Sequence, residues 1–140
     1  MEYDVVDKAE QTIKNLAKDK FGNLMLSKSQ IRKFLTAVNT VKNKVDVEKT
    51  KADNTGVLSN DMAAEVKFLK VSILYQAGRE RAVKDFVEKA EISKIIVDIG
   101  NDAKKFNKFC KYVEALVAFH KFYGGRDWLW QKQIMVIKKL

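Results

Sequence analysis

Not one of the 140 residues is proline. Sheet-rich folds use proline at turns and edges, so its absence favours helices joined by Gly, Ser, Asn and Asp. The apolar residues agree. Val6, Ala9, Ile13 and Leu16 recur at helical spacing and predict a first amphipathic helix over about residues 4–20, broken by Phe21, Gly22 and Asn23. A second helix starts at Ser27 or Ser29, with Ile31, Phe34, Leu35, Val38, Val41 and Val45 as its buried stripe. With Ser27 as N-cap, Gln30 falls three positions later, the layout of a capping box. The polar run from Glu48 to Gly56 reads as a frayed helix end and a loop.

Ser59 or Asp61 opens a third helix, with Met62, Val66, Leu69 and Ile73 on one face. Gly78 either interrupts it or lets another helix pack closely; the residues alone leave both open. A fourth helix carries apolar positions from Val83 to Ile99, with Gly100 as its C-cap. Asp102 opens a fifth, apolar almost all round from Tyr112 to Tyr123, as a helix central to a bundle or partly covered by another subunit would be. The expected fold is all-α. Residues 1–127 form a compact bundle of about five helices, and residues 128–140 an apolar and basic C-terminal extension.

Lys and Arg total 27 against 18 Asp and Glu, a formal charge of +9. An excess of that size in a small domain points to a polyanion partner, or serves solubility alone. The single cysteine, Cys110, excludes an internal disulfide and suits a reducing cytosol. Neither a signal peptide nor an apolar run of membrane-spanning length is visible, so a soluble cytoplasmic protein is expected.

The catalytic inventory is thin. His120 is the only histidine, which rules out zinc centres built on paired histidines. Cys110 and His120 sit ten positions apart on one helix, about 15 Å along its axis, too far for a thiol–imidazole pair. Cys110 reads as core packing. The Arg-then-His spacing of one helical ribonuclease family is missing, because Glu114, Ala115 and Leu116 precede His120 where an arginine would stand. Carboxylates pair with lysines at helical spacing, as in Glu10–Lys14 and Asp85–Lys89. No phosphate-binding glycine loop is present, and no catalysis, metal or cofactor is expected.

The basic residues offer more. Lys28, Arg32 and Lys33 cluster at the start of the second helix, where free N–H groups and cations suit phosphate, although a solvated face has the same pattern. Lys67 and Lys70 lie one turn apart on the third helix; Arg79 and Arg81 flank Glu80, and Arg79 could equally pair with Glu80 or a neighbouring helix. The tail tryptophans, Trp128 and Trp130, suit base stacking, a membrane surface or packing against the bundle.

Three separated segments resemble one family. They are Tyr75-Gln76-Ala77-Gly78-Arg79-Glu80, then Phe109-Cys110-Lys111-Tyr112-Val113-Glu114-Ala115-Leu116-Val117-Ala118, then Lys121-Phe122-Tyr123-Gly124-Gly125-Arg126-Asp127. In that order they resemble the small subunit of the type III-A CRISPR–Cas effector, the Csm complex. Ser29-Gln30-Ile31-Arg32 is similar to that family's Ser-Lys-aliphatic-Arg signature, with Gln30 in place of the usual lysine. The resemblance is detailed from about Leu26 to Asp127, and the tail departs from shorter members.

It implies a helical bundle, present in several copies that stack into an inner filament beside the guide RNA–target RNA duplex. Backbone subunits cut target RNA in that family, and the large subunit cleaves DNA and makes cyclic oligoadenylate; the small subunit performs no chemistry. The expected partners are guide and target RNA, the backbone and large subunits, and further copies of the chain, with no membrane. The resemblance ranks Arg32 and Lys70 first as RNA-binding residues, followed by Lys28, Lys67 and Arg79. Gln30 puts one expected phosphate contact in doubt. A purely structural assembly subunit is the alternative.

Overall fold

The computed structural model describes residues 2–49 and 56–124. They form an all-α bundle of six helices: α1 (Val5–Asn15), α2 (Lys28–Lys49), α3 (Asn60–Arg79), α4 (Arg81–Lys89), α5 (Ile92–Ile99) and α6 (Ala103–Phe122). The apolar and basic extension expected at 128–140 lies outside the described residues, as do Trp128 and Trp130.

Side-chain caps set most helix starts. Asp4 accepts from Asp7 N, Ser59 from Met62 N, and Asp102 from Lys104 N and Lys105 N. At α2 the capping box closes in both directions: Gln30 N donates to Ser27 Oγ at 3.0 Å, and Ser27 N to Gln30 Oε1 at 2.8 Å.

The first helix stops at Asn15, short of the expected residue 20, although Leu16 continues the apolar period. Leu16 is extended, and Ala17 N donates to the Asp85 carboxylate at 2.8 Å. Lys89 bonds both Asp85 and the Asn15 carbonyl, so the Asp85–Lys89 pair ties α4 to the end of α1.

The expected fourth helix is two, α4 and α5, bent at Ala90–Glu91. Glu91 is left-handed at φ 56°, a conformation that favours glycine. Its carboxylate is held by Lys8 and Lys94, which pull its pKa below the ordinary carboxylate value. At the same corner the Tyr112 hydroxyl donates to the Ala90 carbonyl at 2.9 Å. Gly78 interrupts nothing: α3 runs through it and ends where Glu80 turns extended.

The sixth helix is the axis of the bundle and packs on α1, α2 and α5; α3 lies across α2, α4 and α5. Phe106, Phe109, Tyr112, Val113 and Leu116 are fully buried along it. Each large apolar side chain so buried contributes about 1.5–3 kcal/mol. Cys110 joins this core, and burial pushes its thiol up to about 12, well outside the range of a nucleophile at neutral pH.

His120 is also buried, with Nε2 2.8 Å from the Leu26 carbonyl. Burial lowers its pKa from 6.5, and the carbonyl contact only partly opposes the shift. Above pH 6.5 both folded and unfolded chains hold it neutral; below, the unfolded chain takes up a proton that the folded chain refuses. Stability to urea is therefore expected to fall between pH 7 and 5, and His120→Gln to flatten that dependence. Equal slopes for both proteins would exclude His120 as the cause.

Candidate nucleic-acid interface

The five basic residues singled out by sequence occupy three places. Lys28 and Arg32 are exposed, one turn apart, on a single flank of α2. Lys33, their neighbour in sequence, faces the other way and lines the groove between α2 and α3 with Gln76 and Glu80. Lys67 and Lys70 line a second groove, between α3 and α5, of about 350 Å³, floored by Ala63, Val66, Ile96 and Val97. Arg79 stands at the end of α3 and stacks on the Tyr75 ring, 5.5 Å from its centroid.

Arg32 does not line the groove of Lys67 and Lys70, so the two residues ranked first do not share one cleft. Among the described residues, the side chains of Arg32, Lys67 and Lys70 make no ion pair or hydrogen bond. Other lysines are engaged: Lys8 with Glu91, Lys44 with Glu65, Lys89 with Asp85, Lys105 with Asp98. The uncommitted cations are thus available to an external anion.

Gln30 is committed. Besides closing its capping box, it donates through Nε2 to Glu80 Oε2 at 2.7 Å. This joins the Ser29–Arg32 signature to the Gly78-Arg79-Glu80 motif, the amide accepting from Ser27 N while it donates to Glu80. Among the described residues Glu80 makes no ion pair with Arg79, whose guanidinium stacks on Tyr75.

The model of the family described as Csm2 Type III-A matches residues 2–126. The chain belongs to the Csm2 family. It is 45% identical over 122 residues to a Streptococcus thermophilus protein named "CRISPR system Cms protein Csm2", covering 87% of this chain and 93% of the relative. A protein of the same name from Enterococcus italicus is 42% identical over 104 residues, 73% of this chain and 71% of the relative. One from Mycobacterium tuberculosis is 34% identical over 124 residues, 89% and 94% of the two chains. As a Csm2 family member, the chain is a small subunit of the type III-A CRISPR–Cas complex.

The Csm2 match stops at residue 126, so the whole of the 128–140 extension lies beyond it. Sequence reading missed one feature of the surface. The outward side of α3 is apolar, with Phe68, Val71 and Tyr75 each more than half exposed. The signal was present as a second apolar period on α3, half a turn away from Val66, Leu69 and Ile73.

Proposed function

We propose that this chain is a non-catalytic scaffold of the type III-A RNA-guided complex. Its copies stack into an inner filament and hold the guide and target RNA backbone through Arg32, Lys70, Lys28, Lys67 and Arg79. The observation that carries this reading is the set of exposed or groove-lining cations, Arg32, Lys67 and Lys70, left uncommitted in a family member of net charge +9. Cations on helix faces contact phosphates without reading bases, so affinity does not depend on sequence. Sequence is read by guide–target pairing, which a protein of this kind feels as shape and backbone.

No helix among the described residues is long and apolar enough to cross a membrane. Photo-crosslinking in the assembled, RNA-loaded complex tests the reading. RNA crosslinks are expected from probes beside Arg32 and Lys70. A complex complete in its subunits and RNA, yet without such crosslinks, would leave a purely structural assembly role.

A further inference from the structure

The two most exposed large apolar side chains among the described residues are Phe122, at 78%, and Phe21, at 76%. They stand at the same end of the bundle. Tyr123, next to Phe122, donates its hydroxyl to Glu10 Oε2 at 2.8 Å and has Lys14 Nζ 5.6 Å from its ring centroid, so α6 ends beside the end of α1. Phe21 lies in the segment that joins α1 to α2. The far end of that segment is pinned to the last turn of α6, where His120 Nε2 is 2.8 Å from the Leu26 carbonyl.

Both rings are held in place. At the tip of the joining segment Asp19 N donates to the Asn23 carbonyl at 2.8 Å and Gly22 N to the Asp19 carbonyl at 3.0 Å, with Gly22 left-handed at φ 83°. Asp19 Oδ1 accepts from Phe21 N at 2.8 Å and from Asn23 N at 3.0 Å. These bonds close the tip on itself, and a ring presented on an ordered loop loses little freedom on binding. Phe122 packs edge-on against Tyr123, with centroids 5.1 Å apart.

Cations accompany the rings. Lys20 Nζ is 5.2 Å from the Phe21 centroid. From residue 14 to residue 28 the chain carries Lys14, Lys18, Lys20 and Lys28 against Asp19 alone, whose Oδ1 already accepts two N–H groups. Lys121 precedes Phe122 on α6. Rings alternating with cations match a ligand that alternates flat apolar groups with negative charge, which is a single nucleic-acid strand. Paired bases are stacked on one another inside a duplex and offer no free face. An acidic protein surface would match the lysines and leave the rings in water.

We propose that this end of the bundle is a second RNA site, for unpaired nucleotides: Phe21 and Phe122 each stack on a base, and Lys20, Lys28 and Lys121 take the adjoining phosphates. Lys28 also stands on the α2 flank of Arg32, so a strand held there by its backbone continues onto the rings. RNA as the ligand is taken from the reading above; Arg32 and Lys70 are not needed for it.

Fluorescence anisotropy of the full chain with a labelled oligouridine, beside a blunt RNA duplex, tests the site. Phe21→Ala and Phe122→Ala are each expected to weaken oligouridine binding roughly 5- to 150-fold, because every base has a face to stack. Neither should alter the salt slope or the affinity for duplex, and Phe21→Tyr should keep most of the parent affinity. Lys20→Gln should instead flatten the slope by about 0.7. Circular dichroism should not change, both rings lying outside the core.

A parent chain that ignores oligouridine up to about 1 mM overturns the site. So do alanine variants that bind it like the parent, or that lose strand and duplex equally. Binding of the parent to phosphatidylserine vesicles, lost in Phe21→Ala, would assign the rings to a membrane surface instead. The backbone reading is decided separately. In the Arg32→Ala, Lys70→Ala background, Phe21→Ala should cause the same fold loss, so missing crosslinks from Arg32 and Lys70 would sink that reading and leave this one standing.

Discussion

Tyr112→Ala is expected to destabilise the bundle by about 3–5 kcal/mol, as large aromatic truncations in cores do, enough to unfold a chain of ordinary marginal stability. Tyr112 is fully buried, stacks edge-on against Tyr3 with ring centroids 5.3 Å apart, and sends its hydroxyl between Thr12 and the Ala90 carbonyl. One side chain thus joins α1, α6 and the α4–α5 corner. Burial pushes its pKa up to about 12, so it remains a donor at any ordinary pH. Tyr112→Phe isolates the polar share: it leaves the Ala90 carbonyl without its tyrosine donor and should cost about 1–3 kcal/mol. Tyr3 supplies the internal contrast. Its hydroxyl is buried and has no hydrogen-bond partner among the described residues, so Tyr3→Phe should be neutral or stabilising. Urea melts of the three variants decide the matter, and equal losses for Tyr3→Phe and Tyr112→Phe would contradict this ranking.

Arg32→Ala combined with Lys70→Ala is expected to weaken target-RNA binding by about 25-fold per copy at 0.1 M salt. Each phosphate contact on a single strand contributes a log–log salt slope of about −0.7, close to fivefold in affinity at that salt. With roughly three contacts per copy the slope of the parent is near −2, and the double variant should flatten it by about 1.4. Several copies on one RNA multiply the loss. The effect should be the same for unrelated target sequences. Because neither side chain supports the fold through an ion pair, the variant should assemble and melt like the parent. Unchanged binding and slope in a properly assembled complex would remove both residues from the interface.

Most of the architecture was legible where local chemistry decides it. The Ser27–Gln30 box, the caps at Ser59 and Asp102, and the apolar run of α6 each act within a few residues, and each stands where the spacing placed it. The misses share a cause. Leu16 keeps the helical period, yet α1 ends before it because Asp85, far along the chain, claims Ala17 N. The α4–α5 bend carries no glycine to announce it, since Lys8 and Tyr112, from other segments, join Lys94 of α5 in holding Glu91 and Ala90.

The candidate site followed the same rule. Family motifs singled out the cations, but proximity in sequence grouped Lys33 with Arg32, and only the packing of α2 on α3 separates them. The outer face of α3 was missed because one apolar period had already explained the helix.

The left-handed residue at the α4–α5 corner bears on the order of assembly. A bend specified by its own sequence, with glycine at the apex, could form as soon as the local chain collapses. Here the apex is Glu91: Lys8 and Lys94 hold its carboxylate, and Tyr112 holds the neighbouring Ala90 carbonyl. Two of these lie on other helices, and closing such distant contacts costs loop entropy before any of them stabilises the bend. The corner is therefore expected to form late in folding, after α1 and α6 have met. Until then, residues 81–99 are free to continue as the single helix that their periodicity describes.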